Sequence, residues 1–70
     1  MVEMKANMAG SVWKIVVAQG DQVQDGDDLV ILESMKMEIP IPAEADGVVK
    51  EIKVAEGDFV NEGDVVVVIE

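Results

Sequence analysis

The chain has 70 residues, of which half are hydrophobic and 3% aromatic, and fifteen acidic residues against five basic ones give a formal net charge of −10. A chain of this length forms one small domain of marginal stability, and the absence of cysteine and histidine removes disulfides, thiol chemistry and the commonest general base. The charge excludes a basic nucleic-acid surface, and no apolar run approaches the length of a membrane span.

These properties favour a binding or carrier domain over a self-contained enzyme. We expect a single domain over residues 1–70 that binds neither nucleic acid nor membranes and is monomeric on its own. The first five residues, MVEMK, lack the long apolar stretch of a signal peptide, so the cytosol is the expected compartment.

The apolar runs are rich in β-branched residues, which predicts strands and essentially no helix. In chain order, a strand at Val12–Val17 is followed by Gly-Asp turns at 20–21 and 26–27 and a strand at Leu29–Leu32. The same order returns with Val48–Val54, turns at 57–58 and 63–64, and Val65–Ile69. Glycine and aspartate provide the positive φ and side-chain capping of tight turns. Each half therefore reads strand, turn, short strand, turn, strand.

These two halves are copies of one unit. A shift of 37 residues lays GSVWKIVVAQGDQVQDGDDLVILE (Gly10–Glu33) over GVVKEIKVAEGDFVNEGDVVVVIE (Gly47–Glu70), with twelve of the 24 pairs identical. Two copies are too few for a solenoid, but they can face each other about an approximate two-fold axis and pair their open edges. The sequence therefore predicts an all-β fold, a flattened barrel or sandwich of two pseudo-two-fold related halves.

The connector between the copies, Ser34–Asp46, holds the candidate site. Apolar residues alternate from Met35 through Met37, and the chain must reverse near residues 34–37 with Lys36 at the apex. Exposed methionines are unusual in a turn and indicate a surface that a partner reads. The spacing alone also allows an ordinary solvated Lys36 with both methionines in the core.

The sequence Ser34-Met35-Lys36-Met37 resembles the biotin-attachment motif of biotinyl domains, Ala/Ser-Met-Lys-Met. The similarity extends over nearly the whole chain, through Glu33 before the motif, Ala45–Val49 after it, and Ala6–Gly10, which is similar to the family's Ala-Pro-Met-Pro-Gly segment. The departures are Asn7 and Ala9 in place of the prolines, Ser34 in place of the commoner alanine, and no room for the thumb loop of some acetyl-CoA carboxylase carriers. The chain is most similar to thumb-less biotin carboxyl carriers.

The resemblance implies biotin in amide linkage to Lys36, with Glu33, Ser34, Met35 and Met37 recognised by biotin protein ligase. A solvated lysine is an ammonium at neutral pH and a poor nucleophile, so a ligase must activate the reaction. The biotin would then shuttle a carboxyl group between biotin carboxylase and carboxyltransferase sites, and the domain itself would be a non-catalytic carrier subunit without a metal.

Three alternatives stay open. The nearest is a lipoyl domain, which has the same barrel and apical lysine and would carry lipoate on Lys36, attached by a lipoate ligase. The chain would then carry lipoate in place of biotin or accept either cofactor, although Met35 and Met37 favour biotin. The second is an unmodified acidic interaction domain. The third is a calcium module, suggested by Asp21, Asp25, Asp27 and Asp28, which lack EF-hand spacing and are better explained by turns. Trp13 and Phe59 are expected to be core anchors and not cofactor contacts.

Overall fold

The computed structural model describes residues 1–70 and is built of β-strands and turns, without helices. The β-branched composition predicts this, since such side chains favour the pleated conformation. In chain order the eight strands are β1 (Val2–Lys5), β2 (Gly10–Ile15), β3 (Gln22–Val23), β4 (Asp28–Ser34), β5 (Met37–Pro42), β6 (Gly47–Ile52), β7 (Phe59–Val60) and β8 (Val65–Ile69).

The strands form two four-stranded antiparallel sheets, in the orders β1-β8-β6-β3 and β5-β4-β2-β7. We call these the β8 sheet and the β4 sheet. Each takes two strands from the first half of the chain and two from the second, so neither half has a sheet of its own. The predicted sandwich of two pseudo-two-fold related halves is confirmed. No helix with the length and apolar character of a membrane span is found.

The repeat is longer than the sequence comparison indicated. β5 pairs with β4 as β1 pairs with β8, so residues 1–33 correspond to residues 38–70 at the same shift of 37. Positions that face the core stay apolar in both copies, as with Met4 and its equivalent Ile41, which are both buried. At the outward positions, Glu3 and Lys5 of the first copy correspond to prolines in the second. Because the outward residues differ, the sequence comparison did not detect the relation between β1 and β5. The predicted connector Ser34–Asp46 is therefore wrong in extent, and only residues 34–37 lie outside the two copies.

One apolar core lies between the sheets and draws on both halves equally. Equivalent positions are buried to similar degrees, for example Val12 with Val49 and Val30 with Val67, each at most 2% exposed. The β-branched side chains of the two halves are buried against one another in this core. Their burial therefore stabilises each half only when the other half is present. The buried apolar side chains are Met4, Ala6, Val12, Val23, Leu29, Val30, Leu32, Ile41, Ala43, Val49, Val60, Val66, Val67, Val68 and Ile69.

The Gly-Asp turns obey the same symmetry. Gly20 and Gly57 have φ of 94° and 93°, a region that glycine enters without strain. The carboxylates of Asp21 and Asp58 each accept a hydrogen bond of 2.9 Å, from the N–H groups of Ala18 and Ala55. The turns at Gly26 and Gly63 repeat this arrangement. Turn capping therefore accounts for Asp21 and Asp27, two of the four aspartates that suggested calcium.

The expectation that Trp13 and Phe59 are core anchors is wrong. Their side chains are 49% and 66% exposed. In β2 the register shifts between Val12 and Lys14, which leaves Trp13 without a partner on β4 at a β-bulge. Phe59 begins the two-residue edge strand β7 and pairs with the exposed Ser11. The core is built instead of smaller aliphatic side chains, mostly valine, leucine and isoleucine.

Candidate functional site

Lys36 lies at the tip of the hairpin that joins β4 and β5. The last pair of that hairpin is Ser34 with Met37, which leaves only Met35 and Lys36 in the loop. Both loop residues have positive φ, 54° and 64°. A two-residue hairpin loop with both φ values positive is a type I′ turn. The predicted chain reversal and the apical position of Lys36 are therefore confirmed.

The loop residues are poorly suited to their backbone conformation. Type I′ turns favour Asn-Gly or Asp-Gly, and a residue with a β-carbon in the left-handed region costs about 1–2 kcal/mol. Met35 and Lys36 are the only non-glycine residues of the chain with positive φ. The strain is confined to this one turn, and strain of this kind marks a functional constraint.

Both methionines beside the lysine face solvent. Met35 is 87% exposed and Met37 is 57% exposed. This rules out the alternative in which they belong to the core. Two flexible apolar side chains thus flank an exposed amine, with the half-buried Ser34 before them. Such a surface is costly in water and suits recognition by a partner with an apolar pocket.

Exposure does not distinguish Lys36 from the other lysines, because all five are exposed. Lys5, Lys14 and Lys50 lie within strands. Lys53 forms the only ion pair, 3.0 Å from a carboxylate oxygen of Glu51, and Nζ of Lys50 lies 2.9 Å from the sulfur of Met1. Lys36 alone occupies a hairpin loop, has a positive φ and has no side-chain partner. Its conformation, and not its accessibility, singles it out.

The base of the hairpin carries two acidic side chains. Glu33 pairs directly with Glu38 on β5 and with Ser11 on β2, and all three are exposed. Like charges in direct cross-strand pairs are destabilising, so this pair does not serve the fold. It gives the surface below Lys36 a negative charge.

Gly10 supports the base of the hairpin. A Cβ on Gly10 would lie 2.9 Å from the carbonyl oxygen of Glu33 and 3.4 Å from Cβ of Ser34. The missing side chain allows β2 to lie directly against the end of β4. Sequence reasoning placed Gly10 in a matching segment without giving it a role, and it missed both the type I′ conformation and the pairing of Glu33 with Glu38. The length of the loop was the available signal, since two-residue hairpin loops select primed turns.

The sequence matches a protein-family model described as "Biotin-requiring enzyme" (Biotin_lipoyl) over residues 2–69. Among curated proteins, it is 62% identical over 41 residues to a biotin/lipoyl attachment protein of Bacillus subtilis, covering 59% of this chain and 56% of that protein. It is 50% identical over 46 residues to the biotinylated protein TB7.3 homolog of Mycobacterium leprae, covering 66% and 65%. The matched regions therefore span less than two thirds of these relatives.

Solved structures show the same architecture. The urea carboxylase of Kluyveromyces lactis matches with a TM-score of 0.94 and 39% sequence identity, over 99% of this chain and 6% of that enzyme. A single-chain, multi-domain long-chain acyl-CoA carboxylase matches with a TM-score of 0.87 and 29% identity, over 94% of this chain and 7% of that enzyme. The likeness covers the whole of the described fold but only a small region of each carboxylase.

Proposed function

Because the chain belongs to the biotin and lipoyl attachment family, with biotin as its covalently attached cofactor, we propose that biotin is held in amide linkage to Nζ of Lys36 and that the domain carries carboxyl groups for a biotin-dependent carboxylase. The observation that carries the proposal is the conformation of Lys36. It is the one lysine at a strained hairpin tip, in the only segment that lies outside the two structural copies.

The residues of the hairpin fit this group. The amine of Lys36 is exposed and has no competing carboxylate within ion-pair distance. Met35 and Met37 offer apolar contacts to a ligase, and Glu33 and Ser34 complete the segment that we propose the ligase reads. Because the other lysines lie on strands or beside them, a ligase shaped for a hairpin tip would reject them by position.

The attachment needs help from outside the domain. Nζ of Lys36 must lose a proton and form a bond to the carboxyl carbon of biotin, while an activating group leaves that carbon with its bonding electrons. The chain has no histidine or cysteine to assist. Biotin protein ligase is the partner that we propose for this step. The amide removes one positive charge, so the net charge changes from −10 to −11.

The carrier role assigns the chemistry to other polypeptides. Biotin supplies a ring nitrogen that takes up and releases a carboxyl group. The domain supplies a rigid hairpin and a tether, which keeps the cofactor at high effective concentration near both a biotin carboxylase site and a carboxyltransferase site. The small share of the two solved carboxylases that matches this chain supports a division between a carrier region and catalytic regions.

The proposal is tested by the intact mass of the protein after incubation with biotin, ATP and biotin protein ligase. We expect one biotinyl group on the wild type, none on Lys36→Arg, and one on the matched control Lys14→Arg, whose lysine is equally charged and exposed but lies in β2. A biotinyl group that persists in Lys36→Arg contradicts the assignment. A parallel reaction with lipoate ligase tests the lipoyl alternative, for which we expect no mass increase.

A further inference from the structure

Two aromatic side chains are exposed on the outer face of the β4 sheet. Phe59 is 66% exposed and Trp13 is 49% exposed. Neighbouring exposed aromatic side chains form an apolar patch, and such a patch indicates an interaction site. We call Ser11, Trp13 and Phe59 the aromatic face.

Strand pairing places the aromatic face next to the hairpin. Ser11 pairs with Glu33 on one side and with Phe59 on the other, so Glu33, Ser11 and Phe59 form one row across three strands. Side chains two residues apart on a strand point to the same face. Ser11 and Trp13 follow that rule, since both are exposed while Val12 between them is buried.

The fold itself does not require these residues. The positions equivalent to Ser11, Trp13 and Phe59 in the other copy of the repeat hold Val48, Lys50 and Gln22. Both copies form the same strands in the same pairings, so polar side chains are compatible with both ring positions. The aromatic face thus occurs only on the β4 sheet, which contains the hairpin with Lys36.

The face lies within reach of a cofactor on Lys36. Lys36 immediately precedes Met37 on the β5 side of the hairpin, so Phe59 is three strand spacings away, about 14 Å, and Lys36 is about two residues, or about 7 Å, beyond the row that contains Glu33. The separation across this diagonal is about 16 Å. A linker of eleven bonds from Cα of Lys36 to the biotin ring spans about 14 Å when extended, and the ring itself adds about 5 Å.

We propose, on the basis of the attachment proposed above, that the aromatic face is a resting site for the tethered biotin ring. The apolar sulfur-containing part of the ring contacts the side chains of Phe59 and Trp13. Its ureido group meets the hydroxyl of Ser11, which donates to the ureido oxygen, and the carboxylate of Glu33, which accepts from a ureido N–H. The resting site therefore holds one group, the biotin ring attached to the same chain, and binds it reversibly.

The tether makes a weak contact sufficient. A flexible linker of this length gives an effective concentration of the order of 1 mM. A contact with a dissociation constant of about 1 mM is then occupied in roughly half of the molecules. A partner that binds only the free ring therefore has an apparent affinity for it that is about twofold lower, because about half of the rings are free at any moment. The resting site therefore shields the ring without trapping it.

Trp13 is the only tryptophan of the chain, so its fluorescence reports on the face directly. The experiment compares acrylamide quenching of the unmodified and the fully biotinylated protein, with attachment verified by intact mass. We expect the quenching constant of Trp13 to fall about twofold on biotinylation, because the ring covers the indole. In Phe59→Gln, which adopts the residue of the other copy, the fall should be largely lost.

A matched control removes an exposed apolar side chain from the opposite sheet. Val48→Ser places at the equivalent position the residue that the first copy has, and it should keep the full twofold change. Equal quenching constants before and after verified biotinylation overturn the resting site while leaving the attachment intact. A fall of undiminished size in Phe59→Gln overturns it too. If no biotin is attached at all, the failure belongs to the proposed function instead.

Discussion

At the scale of single residues, the site is defined by backbone conformation more than by side-chain chemistry. Lys36 resembles the other four lysines in charge and exposure. What differs is the type I′ loop, in which Met35 and Lys36 adopt positive φ without being glycine or asparagine. The turn directs one amine away from both sheets and leaves an apolar residue on either side of it. The strained loop lowers the stability of the domain, and we propose that the same conformation lets a ligase distinguish Lys36 from the other lysines.

This view predicts that Met35→Asn stabilises the unmodified domain. Asparagine tolerates the left-handed region, so relief of strain should raise the free energy of unfolding by about 1 kcal/mol. Urea denaturation of the unmodified protein measures this. Met37→Asn is the control, because Met37 is also exposed but lies in β5 without a positive φ, and it should bring no gain.

The same substitution should slow biotinylation. Met35 is the most exposed apolar residue of the hairpin, and we propose that the ligase buries its side chain. Loss of one such contact should lower kcat/KM for the ligase about tenfold, as a contact of about 1.4 kcal/mol would. A Met35→Asn protein that is both more stable and biotinylated at the wild-type rate would contradict a recognition role for Met35.

At the scale of elements, the hairpin depends on the strand beside it. Gly10→Ala should clash with the carbonyl oxygen of Glu33 and displace the base of the hairpin, whereas Gly47→Ala should clash with the equivalent carbonyl oxygen of Glu70, near the chain end. Overpacking of this kind costs about 1–3 kcal/mol, so both variants should be less stable in thermal unfolding. Only Gly10→Ala should also slow biotinylation, measured by intact mass at a temperature where both variants remain folded. Equal rates in the two variants would show that β2 does not position the hairpin.

The sequence predicted the elements better than their extents and surfaces. The repeat was visible where turn chemistry and core packing constrain both copies, as in the Gly-Asp turns. It was invisible for β1 and β5, because these edge strands preserve only their inward side chains and the outward positions have diverged to Glu3 and Pro40. Edge positions lose backbone partners on one side, and proline is tolerated there.

The aromatic residues show a second limit. Large rings are usually buried, which favoured the core for Trp13 and Phe59. Their exposure depends on the bulge in β2 and on β7 being an edge strand, and neither feature has a signal in hydrophobic periodicity. The position of Lys36 at a chain reversal was predictable because its signal is local, a short loop between two strand-like runs. Its role as an attachment site did not follow from that spacing and came from the resemblance of Ser34–Met37 to the biotinyl motif.

At the scale of the whole molecule, the pseudo-symmetry separates the hairpin from the chain ends. β2 begins level with the hairpin, where Ser11 pairs with Glu33, and runs toward the turn at Gly20. The N–H of Gly20 donates to Val49, which pairs with Ile69 near the last residue. In a molecule about 31 Å long, the outer ends of the first and last strands therefore lie far from Lys36, as the proposed entry of the hairpin into another protein's site requires.

Because the two halves contribute equally to one core, equivalent core substitutions should have equal cost. Val30 and Val67 occupy the same position in the two copies, and both are 0% exposed. Removing two buried methyl groups should cost about 2 kcal/mol in each case, from lost transfer free energy and the remaining cavity. Chemical denaturation of Val30→Ala and Val67→Ala measures this. A difference of more than about 1 kcal/mol would show that the backbone symmetry does not extend to packing energy.

The charge of the molecule opposes its compact state. Fifteen acidic side chains share the surface of a 70-residue domain with five lysines, and only one ion pair forms, between Lys53 and Glu51. Repulsion between exposed charges falls as the Debye length shrinks from about 30 Å at 0.01 M salt to about 3 Å at 1 M. We therefore expect the melting temperature to rise with sodium chloride over this range, because the native state gathers the carboxylates more closely than the unfolded chain does.

The carboxylate pair at the base of the hairpin should contribute to this salt effect. Glu38→Gln removes the like-charge contact with Glu33 and should stabilise the domain by a few tenths of a kcal/mol at low salt, and by less at high salt. Glu51→Gln removes the same formal charge but also the ion pair with Lys53, so its gain should be smaller. Melting curves of both variants at two salt concentrations distinguish the cases. If both variants gain equally, net charge alone sets the effect, and the opposed glutamates below Lys36 have no separate energetic cost.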